Sequence, residues 1–174
     1  MTVITQAVMV QANVDVNCMS AAQKLQLADE IHARQPNLLA SILVLPRLGV
    51  EVARLEIACH VLFVTFQAMK RSGYPWPVIS EDVQEGCMQR LTAQAKFSEG
   101  LSPELLSQAV AQFCADHLEQ YLLAFAYGYL REHDVLSVRT EAEKFLLLGV
   151  LNLVECVAFV GAHPQPDATP ARLH

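Results

Sequence analysis

Between Val10 and Cys18 the chain alternates. Val10, Ala12, Val14, Val16 and Cys18 fall on one side, and Gln11, Asn13, Asp15 and Asn17 on the other. A period of two predicts a half-buried strand. No comparable strand follows, and a lone strand leaves its own backbone groups unpaired. Residues 1–19 are therefore expected as an extended N-terminal arm, laid over helices or paired with its own copy in a dimer.

The rest reads as helix. Ser20 with Gln23 spells a capping box, and the helix it opens runs to Gln35 and stops at Pro36. Residues 37–45 make a short apolar helix closed by Pro46 and Gly49, and residues 50–72 a long one ended by Gly73. Two prolines make the Tyr74-Pro75-Trp76-Pro77 stretch a stiff loop. Ser80 opens another helix, with Glu81 and Asp82 suited to its positive end, and it runs out near Gly100. Ser102 and Pro103 start the next. The pattern carries it unbroken to about His133, roughly 45 Å at 1.5 Å per residue. Thr140 with Glu143 is a second capping box, and the last helix ends at Gly161. Residues 163–174 hold three prolines and few large apolar side chains, which predicts a disordered tail. The expected fold is all-α: a single domain over residues 20–162, a bundle of five or six helices with an extended N-terminal arm.

At 100° per residue, Glu56, His60, Gln67 and Arg71 share one narrow stripe of an otherwise apolar helix. Glu141, Lys144, Asn152 and Glu155 share another on the last helix. Both helices are thus expected to be central. The long helix has an early polar face (Gln108, Gln112, Asp116, Glu119) and is apolar all round from Tyr121 to Leu130.

Composition adds one positive hint. Hydrophobic residues make up 53% and charged residues 17%, against a usual charged fraction of about 25%. So much apolar surface favours association, and a homodimer is expected. The net charge is −6, and the only adjacent basic pair is Lys70 and Arg71. Phosphate neutralisation needs a clustered basic footprint, so nucleic acid is not an expected partner. An odd count of five cysteines with no CxxC pair argues for free thiols and a reducing cytoplasm. The N-terminus has no basic region of the signal-peptide kind. Residues 145–162 approach a membrane span in length, but Asn152 and Glu155 lie inside. A carboxylate there costs on the order of 3 kcal/mol, so a buried core helix is expected and no membrane partner.

The seven glycines are dispersed, which removes the Gly-rich phosphate cradles. Neither G-x-S-x-G nor H-E-x-x-H occurs, and no Glu precedes a His by three. What remains are polar residues on apolar helices. Glu56 and His60, one turn apart, suit a metal, a carboxylate-oriented imidazole, or a simple surface pair. His117 shares the apolar side of its helix with Leu106, Val110, Phe113, Cys114 and Tyr121, as a core histidine or a ligand. With Asn152 and Glu155 these make the candidate ligand-binding set, if the two stripes face each other and His117 completes them. The alternative is that each stripe faces water. Tyr121, Phe125 and Tyr129 form an aromatic ridge with Gly128 beside it, a candidate interface. Trp76 is either a lid packed on the bundle or a binding anchor. Two functions follow: a non-catalytic interaction or small-ligand-binding module acting as a homodimer, or a metal- or cofactor-dependent enzyme with its site inside the bundle. No particular cofactor is implied.

Overall fold

The computed structural model describes residues 2–98 and 100–163. The expected tail, His163 apart, lies outside them. Among the described residues the chain is all-helical, with eight α-helices and no strand. They are α1 Gln6–Cys18, α2 Ala21–Arg34, α3 Pro36–Leu43, α4 Val52–Ser72, α5 Glu81–Ser98, α6 Pro103–Asp116, α7 Gln120–Glu132 and α8 Glu141–Ala162, with a 3-10 turn over Leu45–Leu48.

Two expectations are corrected. The N-terminal arm is not extended but is α1, capped by Thr5, whose hydroxyl accepts from the Val8 amide at 3.3 Å. The period of two was incidental. Met9, Ala12 and Val16 are the residues buried, at helical spacing, while Val10 and Val14 are exposed. Asp15 on the other side clamps α4, accepting from Gln67 Nε2 at 2.8 Å and from Arg71 Nη2 at 3.0 Å. The supposed long helix is also two, α6 and α7. The break falls at His117, which takes extended backbone (φ −69°, ψ 139°), and it turns Glu119 inward.

Both capping boxes form, at Ser20–Gln23 and Thr140–Glu143. Gly73 ends α4 with φ +68°, a left-handed conformation that favours glycine. The loop after it is tied down by Gln35, whose side chain donates to Pro77 O at 2.8 Å and accepts from the Ile79 amide at 2.9 Å.

The core lies around α4 and α8. Against α4 pack α1, α3, α7 and α8, and α5 lies along α8. Val61, Leu62 and Val64 meet Leu153, Val154 and Val157 in one buried cluster. Either helix is long and apolar enough to cross a membrane, and here each is about half buried in the bundle (44% and 56%). On α6 none of the described side chains is buried, and its main neighbour is α7.

Candidate functional site

The two polar stripes do not meet. That of α4 faces α1 and α7: Glu56 is exposed, and His60 stacks on Tyr129 with ring centroids 4.5 Å apart and planes at 22°. Burial lowers the His60 pKa, with Lys24 and His133 adding repulsion. The groove beside it is lined by Asn13, Asn17, Phe125, Gly128, Tyr129 and Glu132. The aromatic ridge is thus spent partly within the molecule, Phe125 and Tyr129 sharing the His60 ring.

The α8 stripe faces α5 and the break after α6. Asn152 is buried and donates to Gln84 O at 3.2 Å, while its side-chain oxygen has no protein partner. Glu155 meets His117, Oε1 to Nε2 at 3.1 Å. The Nδ1 of that ring accepts from the Glu119 amide at 3.1 Å. A neutral imidazole accepting at Nδ1 carries its proton at Nε2, so the hydrogen-bond pattern assigns the tautomer and makes His117 the donor to Glu155. Of the five candidates, then, His117 and Glu155 pair, Asn152 sits one turn away, and Glu56 and His60 belong to another face.

Trp76 packs on the bundle. Its Nε1 donates to Met69 O at 3.0 Å and to Ser72 Oγ at 2.9 Å. Its ring lies on Gly161, where a Cβ would stand 3.2 Å away.

Three groups were missed by reading helix faces. Glu119 is buried, yet its carboxylate accepts from the Val3 amide at 2.7 Å, the Ile4 amide at 3.0 Å and Thr2 Oγ1 at 2.7 Å. Cys87 on α5 and Cys156 on α8 are both buried, and Arg90 Nη2 donates to Cys87 Sγ at 3.1 Å. That guanidinium also lies over the Phe159 ring, 5.1 Å from its centroid. No charge pattern in the sequence marks these positions.

Beside them opens an apolar cavity of about 490 Å³. Leu91, Gln94 and Ala95 of α5 line it, with Ala109, Val110 and Phe113 of α6, Tyr127 of α7, and Leu147, Leu148 and Leu151 of α8. Burial, aided by the Cys114 and Glu155 charges, pushes the Tyr127 phenol up to about 12, so near neutrality it is a neutral donor. Among the described residues no three His, Cys, Asp or Glu side chains gather as metal ligands. No protein-family model, curated protein or solved structure matches the chain.

Proposed function

We propose that the protein is a non-catalytic, small-ligand-binding helical module that takes an apolar molecule between α5, α6, α7 and α8. The cavity of about 490 Å³ carries this reading. Its size is that of small-molecule sites, which are mostly apolar with a few polar groups; Gln94 and Tyr127 are the polar residues of this lining. The outer wall is α6, which buries no described side chain and so can move aside at little cost to the core.

Binding of an uncharged apolar dye such as Nile red tests this. Saturable binding at one dye per chain is expected. Ala109→Trp, made at an exposed position on the cavity wall, should weaken it at least about tenfold, since an indole fills space the ligand needs. Non-saturable binding, or binding indifferent to Ala109→Trp, refutes the site.

The module acts as a homodimer in a reducing cytoplasm. The exposed Val10 and Val14, one turn apart on α1, and the 53% hydrophobic composition support association, and the odd cysteine count supports the compartment. Sedimentation at micromolar concentration should give twice the chain mass; a monomer throughout removes the dimer.

A further inference from the structure

We propose that a second binding site, at the C-terminal ends of α2 and α4, takes a planar aromatic monoanion such as an aromatic carboxylate. This is a binding role, independent of the apolar cavity between α5, α6, α7 and α8. A separate cavity of about 440 Å³ opens here. Arg34 lines it from the end of α2, Phe66 and Lys70 from the end of α4, and Tyr74 and Trp76 from the loop that follows. Its size falls within the range of small-molecule sites. Unlike the apolar cavity, it joins two cations to three aromatic rings.

The loop wall is fixed by bonds of its own. Gln35, 3% exposed, donates to Pro77 O at 2.8 Å and accepts from the Ile79 amide at 2.9 Å. Trp76 Nε1 donates to Met69 O and Ser72 Oγ at the end of α4. The Trp76 and Tyr74 rings meet edge to face, centroids 4.9 Å apart and planes at 69°. A wall held this way has little freedom left to lose when a ligand arrives. Its rings suit a flat, unsaturated molecule, which stacks or meets them by the edge.

The polar groups decide the charge of that molecule. Acceptors on this wall are engaged: Met69 O takes Trp76 Nε1, Tyr74 O takes the Trp76 amide at 2.9 Å, and Gln35 Oε1 takes the Ile79 amide. Donors remain. Among the described residues Arg34 gives only Nη1, to Glu30 at 3.2 Å, and its side chain is 62% exposed. Lys70 Nζ donates to the same carboxylate at 2.6 Å. Two cations therefore share one carboxylate, and one positive charge is left for a ligand to neutralise. No acidic residue is among the described lining, so a cationic ligand would meet repulsion without a partner. The free edge of the Arg34 guanidinium can receive a carboxylate in the planar, two-bond manner. Lys70 Nζ stands 6.0 Å from the Phe66 ring centroid, so one small molecule can touch both the rings and the charge.

Trp76 is the chain's single tryptophan, which makes the test local. In a proton–nitrogen correlation spectrum of the full chain only Trp76 gives an indole Nε1–H signal. Sodium 2-naphthoate is titrated against that signal, with neutral 2-naphthamide as the comparison. The signal should move and saturate at one naphthoate per chain. The amide should bind at least about fivefold more weakly, because it lacks the charge. Arg34→Gln and Lys70→Gln should each weaken naphthoate at least about threefold and leave naphthamide within about twofold of wild type. Both side chains are exposed, and an otherwise unchanged spectrum checks that the variants fold. An indole signal that stays still up to about 5 mM naphthoate overturns the proposal; naphthoate seated in the apolar cavity instead would give that result. Equal affinity for the two compounds overturns it too, as does naphthoate affinity unaltered in either variant.

Discussion

The N-terminus of this fold hangs on a buried carboxylate, and Glu119→Ala measures how firmly. Glu119 is 1% exposed and accepts three hydrogen bonds, from the Val3 and Ile4 amides at 2.7 and 3.0 Å and the Thr2 hydroxyl at 2.7 Å. Bonds to a charged acceptor are worth about 1.5–3 kcal/mol each, and a stranded buried donor costs about 1–3 kcal/mol. The losses are unequal. Thr2 and Val3 are half-buried and can turn to water, whereas Ile4 is fully buried and its amide has no other acceptor. Against this, removing the carboxylate ends the cost of desolvating it. The net expectation for Glu119→Ala is about 2–4 kcal/mol, by urea unfolding at neutral pH. Thr2→Val should cost about 1 kcal/mol in the wild-type chain and clearly less in Glu119→Ala, where the hydroxyl keeps only Ile4 O, 3.1 Å away, as acceptor. A Glu119→Ala loss below about 0.5 kcal/mol, or a Thr2→Val cost unchanged by it, refutes the anchor.

Other expectations follow from the same geometry. Arg71 and Gln67, with Gln11, hold the Asp15 carboxyl at about 2 against an ordinary value of 3.8. A depressed folded pKa means stability that is full above the unfolded value and lost as pH falls toward the folded one. The urea midpoint should thus fall more steeply between about pH 5 and pH 2 for wild type than for Asp15→Asn; parallel acid limbs would refute the clamp. Glu155→Ala leaves the His117 Nε2 proton unpaired and should cost about 1–2 kcal/mol. Glu155→Gln, which keeps an acceptor oxygen, should cost less than half of that, and equal costs in urea unfolding would refute the assigned tautomer. His60→Ala removes a ring stacked on Tyr129 and should cost about 0.5–1.5 kcal/mol, additive with Glu155→Ala because the two lie on different faces. Strong coupling between them would mean that the stripes meet after all.

Much of the fold could be read from local chemistry. The capping boxes at Ser20 and Thr140, the stop at Gly73 and the apolar character of α4 and α8 each depend on residues within a turn of one another. Where reading failed, two periods competed. In α1 the alternation of Val10, Ala12, Val14 and Val16 fits a strand, while Met9, Ala12 and Val16 fit a helix. The second set won because α4 offers it a packed surface along the helix, and because Asp15 gains Arg71 and Gln67 only from that side. The break at His117 carries no proline or glycine. It forms because a straight helix would keep Glu119 on the polar face with Gln112 and Asp116, away from the amides of Val3 and Ile4.

The candidate site is legible in the sequence only in fragments. Helical spacing puts Asn152 with Glu155 and Glu56 with His60 on shared stripes. Which neighbour a stripe faces is not set by spacing. That depends on contacts between residues far apart in sequence: Glu155 on His117, Asn152 on Gln84, His60 on Tyr129. Glu119 and Cys87 were harder still, because each looks ordinary on its own helix, one a charged residue on a polar face and the other a small core thiol. Their character comes from what is brought to them. Two backbone amides from the start of the chain turn a surface-type glutamate into a buried anchor. A second thiol across the helix seam, Cys156, and the Arg90 guanidinium one turn on lower the pKa of a core cysteine, Cys87, that burial alone would raise. A charge buried without such partners would be costly, so the partners make each position tenable.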